Sequence, residues 1–295
     1  MNSPKKSTVF WRPQQHPNMT RRKRQFLLLA AILIGLYVMY ATVMVTLQDR
    51  IIFAGRGIPM TIDLREENPL AFYTKLETSF GDVHACYLES DRDFDDCPIV
   101  FVAHGNAETI GHWKTIAKHL NQLELSVFLI ESPGYGGSDG TPSKETIAEA
   151  FDQGYAWLET RGLSRRKLIG YGHGFGSGPL LKFATHKKFD GVILTAPYSS
   201  LGALTMEAGL PSFLLRTRYN NTKALSNIST PVLLIHGTRD RLIPPRHSER
   251  LHQVDSSQIT YNPVEAAHEN LWDEPDAMIS ILREWLTSQS FLSAP

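Results

Sequence analysis

Side chains suited to acid–base and nucleophilic chemistry follow several short apolar runs of the sequence. The polar or glycine-rich segments after these runs contain His104, Ser138, His173, Asp240 and His268. Short apolar runs that alternate with amphipathic stretches indicate parallel strands joined by helices. Ligands bind beyond the carboxyl ends of the strands in such sheets, so we expect the chemistry to collect at that edge.

The alternation predicts one α/β domain over residues 50–290, without a linker or an internal repeat. A Gly-Asp pair at 81–82 predicts a hairpin between the first two strands. The predicted strands lie near 73–79, 83–89, 99–103, 126–130, 167–171, 191–195, 232–236 and 258–262, and the predicted helices near 109–122, 144–161, 175–188, 201–217, 245–253 and 270–288.

An uncharged run of 22 residues at 26–47 precedes this domain. As a helix it would measure roughly 33 Å, enough to cross a hydrocarbon core of about 30 Å. Its length and the lack of a small-x-small site favour a membrane anchor over a cleaved signal peptide or a buried helix. The basic cluster at 21–24 then predicts that residues 1–25 are a cytoplasmic tail and that the domain lies outside the cytoplasm, in a periplasm, a lumen or the extracellular space.

Composition limits the function classes. The 30 basic and 30 acidic residues balance, so no global basicity indicates nucleic-acid binding. Hydrophobic residues make up 42% and charged residues 20% of the chain, which suits a packed core and excludes a disordered chain. Cys86 and Cys97 could pair in an oxidising compartment or remain thiols, and no metal-ligand spacing is visible.

Four motifs occur in a recognisable order: HGN at 104–106, SPGYGGSDG at 132–140, HGTRDRLIP at 236–244 and a late His268. Together they resemble the α/β-hydrolase fold, in its membrane-anchored, serine aminopeptidase-like branch of abhydrolase-domain proteins. The resemblance covers about residues 45–288. It implies a mostly parallel eight-stranded sheet with helices on both faces and a small lid, and we expect neither a metal ion nor a cofactor.

The resemblance also implies a triad in the chain order nucleophile, acid, histidine. Asp240 matches the acid and His268 the base. The backbone N–H groups of Asn106 and Phe175 match the two halves of an oxyanion hole.

The nucleophile of this family belongs in the centre of G-x-S-x-G. The corresponding pentad at 172–176 reads Gly-His-Gly-Phe-Gly, so Gly174 occupies the nucleophile position. Glycine has no oxygen for an imidazole to deprotonate, and we therefore expect the serine mechanism to be disabled. Glycine also relieves the strain of the nucleophile turn, so Gly174→Ser should lower the melting temperature.

Other groups could replace the missing serine. Ser177 is one candidate, although a small residue there suits helix-to-strand packing. His268, oriented by Asp240, could instead activate water without a covalent intermediate. His173 is expected to be a spacer and His104 to order its loop. Three further serines could face the cleft but are more commonly surface or capping residues: Ser138, Ser199 and Ser200.

About 35 residues separate the predicted strands at 191–195 and 232–236. They predict either a small lid that packs on the body or an apolar groove for an acyl or lipid chain. The apolar residues of this segment are Leu201, Leu204, Met206, Leu210, Phe213, Leu214 and Leu215.

The sequence therefore favours a membrane-anchored α/β-hydrolase-family protein with impaired catalysis, which acts as a binding or regulatory module. The alternative is an active hydrolase of ester, thioester, amide or lipid acyl bonds that uses water or another nucleophile. The expected partners are the bilayer, through residues 26–47, and a small acyl or lipid-like ligand.

Overall fold

The computed structural model describes residues 20–60, 63–66, 71–90 and 97–293. The chain divides into two units, residues 1–46 and 47–295, and helix α1 (Arg21–Ile52) crosses the boundary between them. Apart from residues 20–25, the predicted cytoplasmic tail lies outside the described residues.

Helix α1 is long and apolar enough to cross a membrane. It has 32 residues, and its most apolar stretch has a mean hydropathy of 2.4 with no residue buried. At about 1.5 Å per residue it measures roughly 48 Å, so it extends beyond the predicted run at both ends. Signal sequences and core helices meet the same criteria of length and composition, and α1 is therefore a candidate membrane span.

A single eight-stranded sheet forms the centre of the second unit. Its strands are β1 (Phe72–Thr78), β2 (Gly81–Leu88), β3 (Ile99–Ala103), β4 (Ser126–Ile130), β5 (Leu168–His173), β6 (Gly191–Thr195), β7 (Val232–Gly237) and β8 (Ile259–Val264). Each lies within two residues of its predicted position. The spatial order is β1-β2-β4-β3-β5-β6-β7-β8. β2 pairs antiparallel with β1 and β4, and all other pairs are parallel, which confirms the predicted sheet.

Helices cover both faces of the sheet. They are α2 (Lys114–Gln122), α3 (Lys144–Thr160), α4 (Ser177–Ala184), α5 (Leu201–Glu207), α6 (Asn221–Leu225), α7 (Arg246–His252) and α8 (Pro275–Ser288). Successive side chains of a strand point to opposite faces. In β3, Phe101 therefore packs in the cluster that contains apolar residues of α3 and α4, while Val100 and Val102 pack in the cluster that contains those of α2 and α8. Burial on both faces explains why these strands read as continuous apolar runs.

Several predicted helices are shorter in the structure. The helix predicted over 201–217 is wrong beyond Glu207, because Gly209 adopts a left-handed φ of +76° and Pro211 follows it. A 3₁₀ turn at Ser212–Leu214 and the unpredicted α6 complete this segment. The helix predicted from residue 270 begins only at Pro275, whose fixed φ suits a first helical position.

Residues 196–231 form the small lid. Leu201, Leu210 and Leu215 are buried, and Leu201 and Leu215 form a cluster with residues of the body. Met206 and Phe213 are exposed instead. The lid therefore packs through one side of its apolar set and leaves the other side open.

The two cysteines do not form a disulfide. Cys86 lies in β2, Cys97 precedes β3, and both side chains are buried. Burial raises the pKa of the Cys86 thiol to about 12, so this thiol is neutral and unreactive at ordinary pH.

Candidate active site

The predicted nucleophile position lies at the sharp turn between β5 and α4. β5 ends at His173, a 3₁₀ turn spans Gly174–Gly176, and α4 follows at once. A Cβ atom on Gly176 would collide with the carbonyl oxygen of Ala103, and one on Gly172 would lie 2.8 Å from the Cα atom of Ser177. The outer glycines of the pentad therefore allow the helix to approach β3 and β5 closely.

The central residue of this turn faces an imidazole. Gly174 has a left-handed φ of +49°. A Cβ atom at this position would lie 3.3 Å from Nε2 of His268. An oxygen one bond beyond that Cβ could thus reach the ring nitrogen, which is the spacing that a nucleophile and a general base require.

The two residues predicted as acid and base are paired. Nδ1 of His268 donates to Oδ2 of Asp240 at 2.7 Å, which fixes the ring with Nε2 towards position 174. The Asp240 side chain is fully buried, and its Oδ1 accepts the backbone N–H groups of Leu242 (2.9 Å) and Ile243 (2.8 Å). The structure thus brings Asp240, His268 and Gly174 together at one place.

Asp240 is ionised in this environment. Burial alone would raise its pKa, but hydrogen bonds from His236, His268 and the N–H of Ile243 outweigh burial and hold the pKa well below the usual 3.8. A permanent negative charge beside Nδ1 orients the imidazole.

His236 supports this carboxylate, and sequence analysis gave it no role. The ring is fully buried in β7, with Nε2 2.7 Å from the carbonyl oxygen of Ile243 and 3.3 Å from Oδ2 of Asp240. Its Nδ1 lies 2.6 Å from the hydroxyl of Ser248 in α7. The sequence did contain a signal for this contact, because His236 begins the HGTRDRLIP motif four residues before Asp240.

The loop of the first predicted oxyanion residue is held by the end of α1. The carbonyl oxygen of Asn106 accepts the N–H of Gly55 at 2.7 Å and the hydroxyl of Tyr135 at 2.9 Å. The side-chain amide of Asn106 donates to the carbonyl oxygen of Ile51 at 3.0 Å. These three bonds hold the carbonyl group and the side chain of Asn106, the residue whose N–H is predicted to bind an oxyanion.

Phe175, the second predicted oxyanion residue, follows Gly174 directly. Its ring packs edge-on against Phe53 and Tyr219, with centroid distances of 5.5 and 5.8 Å. Phe53 follows the last turn of α1, and Tyr219 lies in the lid. Both predicted oxyanion residues therefore contact elements outside the sheet.

A buried ion pair lies beneath the same strand ends. Nε2 of His104 lies 2.8 Å from Oε1 of Glu131, and both side chains are almost fully buried. Burial opposes a charge on the ring, but Glu131 and the carbonyl oxygen of Gly105 outweigh it and raise the pKa of His104. This pair joins the loops after β3 and β4, in keeping with the loop-ordering role expected of His104.

Both ring nitrogens of His173 lie close to polar side chains of the sheet and its loops. Its Nδ1 lies 3.0 Å from the hydroxyl of Thr195, and its Nε2 lies 3.7 Å from Oε1 of Glu108. Its ring lies beside that of His268, with a centroid distance of 5.4 Å. Within the described ranges, no group of three or more His, Cys, Asp or Glu side chains could hold a metal ion.

The hydroxyl groups of the four alternative serines form hydrogen bonds with groups other than His268. The fully buried Ser177 donates to the carbonyl oxygen of Gly174 at 2.7 Å and accepts from Asn221 at 3.0 Å. The hydroxyl of Ser199 pairs with Nδ1 of His247 at 2.8 Å rather than with His268. The other two accept backbone N–H groups, Ser138 from His84 and Ser200 from Ala203. These partners favour structural roles for all four.

Comparison with known proteins agrees with this geometry. Residues 96–219 match the family model described as "Serine aminopeptidase, S33". A Xenopus tropicalis protein named alpha/beta hydrolase domain-containing protein 17B is 26% identical over 214 residues, which are 72% of this chain and 74% of that protein. An uncharacterized protein of Mycobacterium tuberculosis is 27% identical over 205 residues, 66% of this chain and 72% of its own length.

These matches support membership of the α/β-hydrolase family.

Solved structures show the same fold. An alpha-beta hydrolase from Vibrio vulnificus superposes with a TM-score of 0.67 at 15% identity, over 82% of this chain and 92% of its own. An esterase from Pyrococcus furiosus gives a TM-score of 0.59 at 19% identity, over 74% and 91%. The predicted α/β-hydrolase fold is thereby confirmed, while the roles of individual site residues remain predictions.

The first prediction concerns the strain at position 174. We expect Gly174→Ser to lower the melting temperature by about 2–10 °C, because a non-glycine residue at positive φ costs about 1–3 kcal/mol. Differential scanning calorimetry measures the shift. Gly162→Ser is the matched control, since Gly162 also has a positive φ (+70°) but would place its Cβ in open space. If only the control lost stability, position 174 would not be held in the left-handed conformation.

The second prediction concerns Asp240 and pH. Its folded-state pKa is depressed, so it stabilises the fold above the unfolded value of 3.8 and loses this contribution as the pH falls further. The free energy of unfolding of the wild type should therefore exceed that of Asp240→Asn most at neutral pH, and the gap should narrow below about pH 4. Urea unfolding at a series of pH values measures both. Glu265→Gln, at a side chain that is 83% exposed, is the control, and a gap independent of pH would contradict the prediction.

Proposed function

We propose that this protein is a membrane-anchored member of the α/β-hydrolase family whose serine chemistry is disabled and whose site binds a small acyl or lipid-like ligand as a binding or regulatory module. The observation that carries this proposal is the geometry at position 174. The Asp240–His268 pair faces a residue without a side chain, so no hydroxyl stands where the family places its nucleophile.

The size of the missing contribution supports the proposal. Loss of the nucleophilic serine lowers kcat by about 10⁶-fold in a well-studied protease, which leaves only the effect of oxyanion binding and positioning. A site with the same deficit can still hold a carbonyl ligand without turning it over. The ligand class is suggested by the resemblance and by the structural neighbours, among them a Butyrivibrio proteoclasticus protein described with bound ferulic acid.

A second candidate function is hydrolysis by water that His268 activates. It is favoured by the intact 2.7 Å bond between His268 and Asp240, which is the arrangement of a general base and the group that orients it. This route forms no covalent intermediate, so it would leave a serine-directed probe unreacted.

The third prediction separates these candidates. We expect the wild type to show neither labelling by a fluorophosphonate probe nor turnover of p-nitrophenyl esters. Gly174→Ser should gain both, with turnover rising by at least about 10³-fold, because the base and its orienting acid are in place. Gly174→Ala is the matched control, since it has the same Cβ and the same strain but no hydroxyl.

His268→Ala in the Gly174→Ser background should abolish the gained activity. Wild-type turnover that depends on His268 without any labelling would favour the water route. Labelling of the wild type that a single Ser→Ala substitution removes would overturn the proposal.

The proposal includes an orientation for α1. The basic residues of the cluster at 21–24 precede the apolar run, whereas Asp49 and Arg50 follow it. The positive-inside bias then keeps the N-terminus in the cytoplasm and places the hydrolase domain outside it.

The fourth prediction tests that orientation. In a bacterial host, alkaline phosphatase fused after residue 295 should be active, because this enzyme matures only outside the cytoplasm, where disulfides form. β-Galactosidase at the same junction should be inactive. The reverse pattern would contradict the orientation. A variant with the four basic residues at 21–24 replaced by Gln should lose the bias, which makes it a control for the cause.

A further inference from the structure

Three apolar side chains of the second unit are unusually exposed. Phe213 is 73% exposed, Leu242 64% and Met206 61%, the highest values for large apolar residues in the described part of 47–295. Each lies close in the sequence to a residue of the same small cluster: Met206 shares α5 with Leu201, Phe213 lies two residues before Leu215, and Leu242 precedes Ile243. We call these three residues the apolar patch. Large exposed apolar side chains grouped around one cluster are typical of an interaction site.

The lid beside the patch is bonded to the end of α1. Gln48 is 3% exposed, and its Nε2 donates to the carbonyl oxygen of Leu214 at 3.4 Å while its Oε1 accepts the N–H of Arg216 at 2.9 Å. The guanidinium of Arg216 also lies 3.1 Å from the carboxylate of Asp49. The two lid peptides are thus fixed to the first residue after the apolar run of 26–47.

The backbone of the segment that carries Phe213 is hydrogen-bonded to the side chain of Arg218. The guanidinium of Arg218 donates to the carbonyl oxygens of Phe213 (2.8 Å) and Leu215 (3.0 Å), and Leu215 is buried. These two bonds hold the carbonyl groups of Phe213 and Leu215 in place. The exposure of Phe213 is therefore a feature of the folded lid.

We propose that the apolar patch docks on the lipid bilayer that α1 crosses, with Phe213 inserted among the lipid chains. This inference rests on the spanning role of α1 in the proposed function. If residues 26–47 cross the hydrocarbon core, Gln48 lies at its boundary, and the lid peptide bonded to Gln48 lies there too. Phe213 is next to that peptide, and successive Cα atoms are only 3.8 Å apart. The bilayer is thus the apolar phase within reach of the ring.

Charge around the patch fits a lipid surface. Arg50, Arg216 and Arg218 lie on the segments joined by Gln48, with Arg216 paired to Asp49 and Arg218 bonded to two lid carbonyl oxygens. Long cationic side chains at such a place cover apolar surface with their stems and are attracted to lipid phosphates. Aromatic rings are likewise favoured at the boundary between water and hydrocarbon. Cationic side chains on the same segments as exposed apolar ones are typical of a membrane-facing surface.

The patch is connected to the candidate site. Phe175, which follows Gly174, packs against the same cluster as the lid residues. The N–H of Leu242 donates to Asp240. Docking would therefore place the mouth of the site beside the lipid, which suits a ligand that enters from the bilayer.

The fifth prediction tests the docking in the full chain, reconstituted in phosphatidylcholine vesicles. An environment-sensitive fluorophore is attached at Phe213→Cys and, separately, at Met206→Cys. We expect blue-shifted emission, quenching by lipids with doxyl-labelled chains, and protection from aqueous iodide. Phe72→Cys is the matched control, because Phe72 is an aromatic residue that is 52% exposed on edge strand β1. The wild type, whose two thiols are buried, gives the labelling background.

Val38→Cys, in the middle of the apolar run, reports on the span itself. Lipid quenching at 38 and at 213 or 206, with iodide quenching at 72, supports the inference. Lipid quenching at 38 alone, with 206 and 213 behaving like 72, overturns the docking but leaves the anchor intact. Iodide quenching at 38 overturns the spanning role of α1, and the inference falls with it.

Discussion

The close approach of α4 to β3 and β5 determines how the candidate site is built. Because the backbone at Gly172 and Gly176 contacts neighbouring backbone, neither position can hold a side chain. The chain must turn within three residues, which forces the residue between them into the left-handed region. That same turn aims position 174 at the imidazole of His268. The geometry that would bring a serine hydroxyl to the imidazole is thus also a geometry that glycine adopts with little strain.

The buried carboxylate of Asp240 explains how an acid–histidine pair can be held in place without a hydroxyl at position 174. A buried charge is costly unless donors surround it, and Asp240 has two backbone N–H groups and two imidazoles for this purpose. Removing one donor would leave the carboxylate less satisfied, whatever the protein does with its ligand. The pair is therefore a structural requirement of the loop after β7, and its presence alone is not proof of catalysis.

The strands could be predicted closely because burial on both faces gives each one a continuous apolar run with polar ends. The structure of the lid could not be predicted as closely. The spacing of apolar residues over 201–217 is typical of a helix, and the helix is interrupted only by the backbone conformation at Gly209 and by Pro211. In the site, Asp240 and His268 stand at strand ends and were predicted to pair. His236 and Glu131 were missed, because their partners lie in other loops and no local pattern shows a buried contact. The clamp of Gln48 on the lid joins residues more than 160 positions apart in the sequence.

The attachment of the end of α1 to Asn106 has a practical consequence for preparing a water-soluble form. Hydropathy suggests that the chain be truncated just after Asp49 and Arg50, the charged residues that follow the apolar run. Such a cut would delete Gln48. It would also remove the helix that precedes Ile51, whose carbonyl oxygen accepts the hydrogen bond from the side chain of Asn106. Any measurement on that fragment would then report on a site whose Asn106 loop has lost part of its support. A chain that begins at Leu47, with an added polar N-terminal cap, keeps the hydrogen bonds of Gln48 and Ile51 and removes most of the exposed apolar side chains of 26–47.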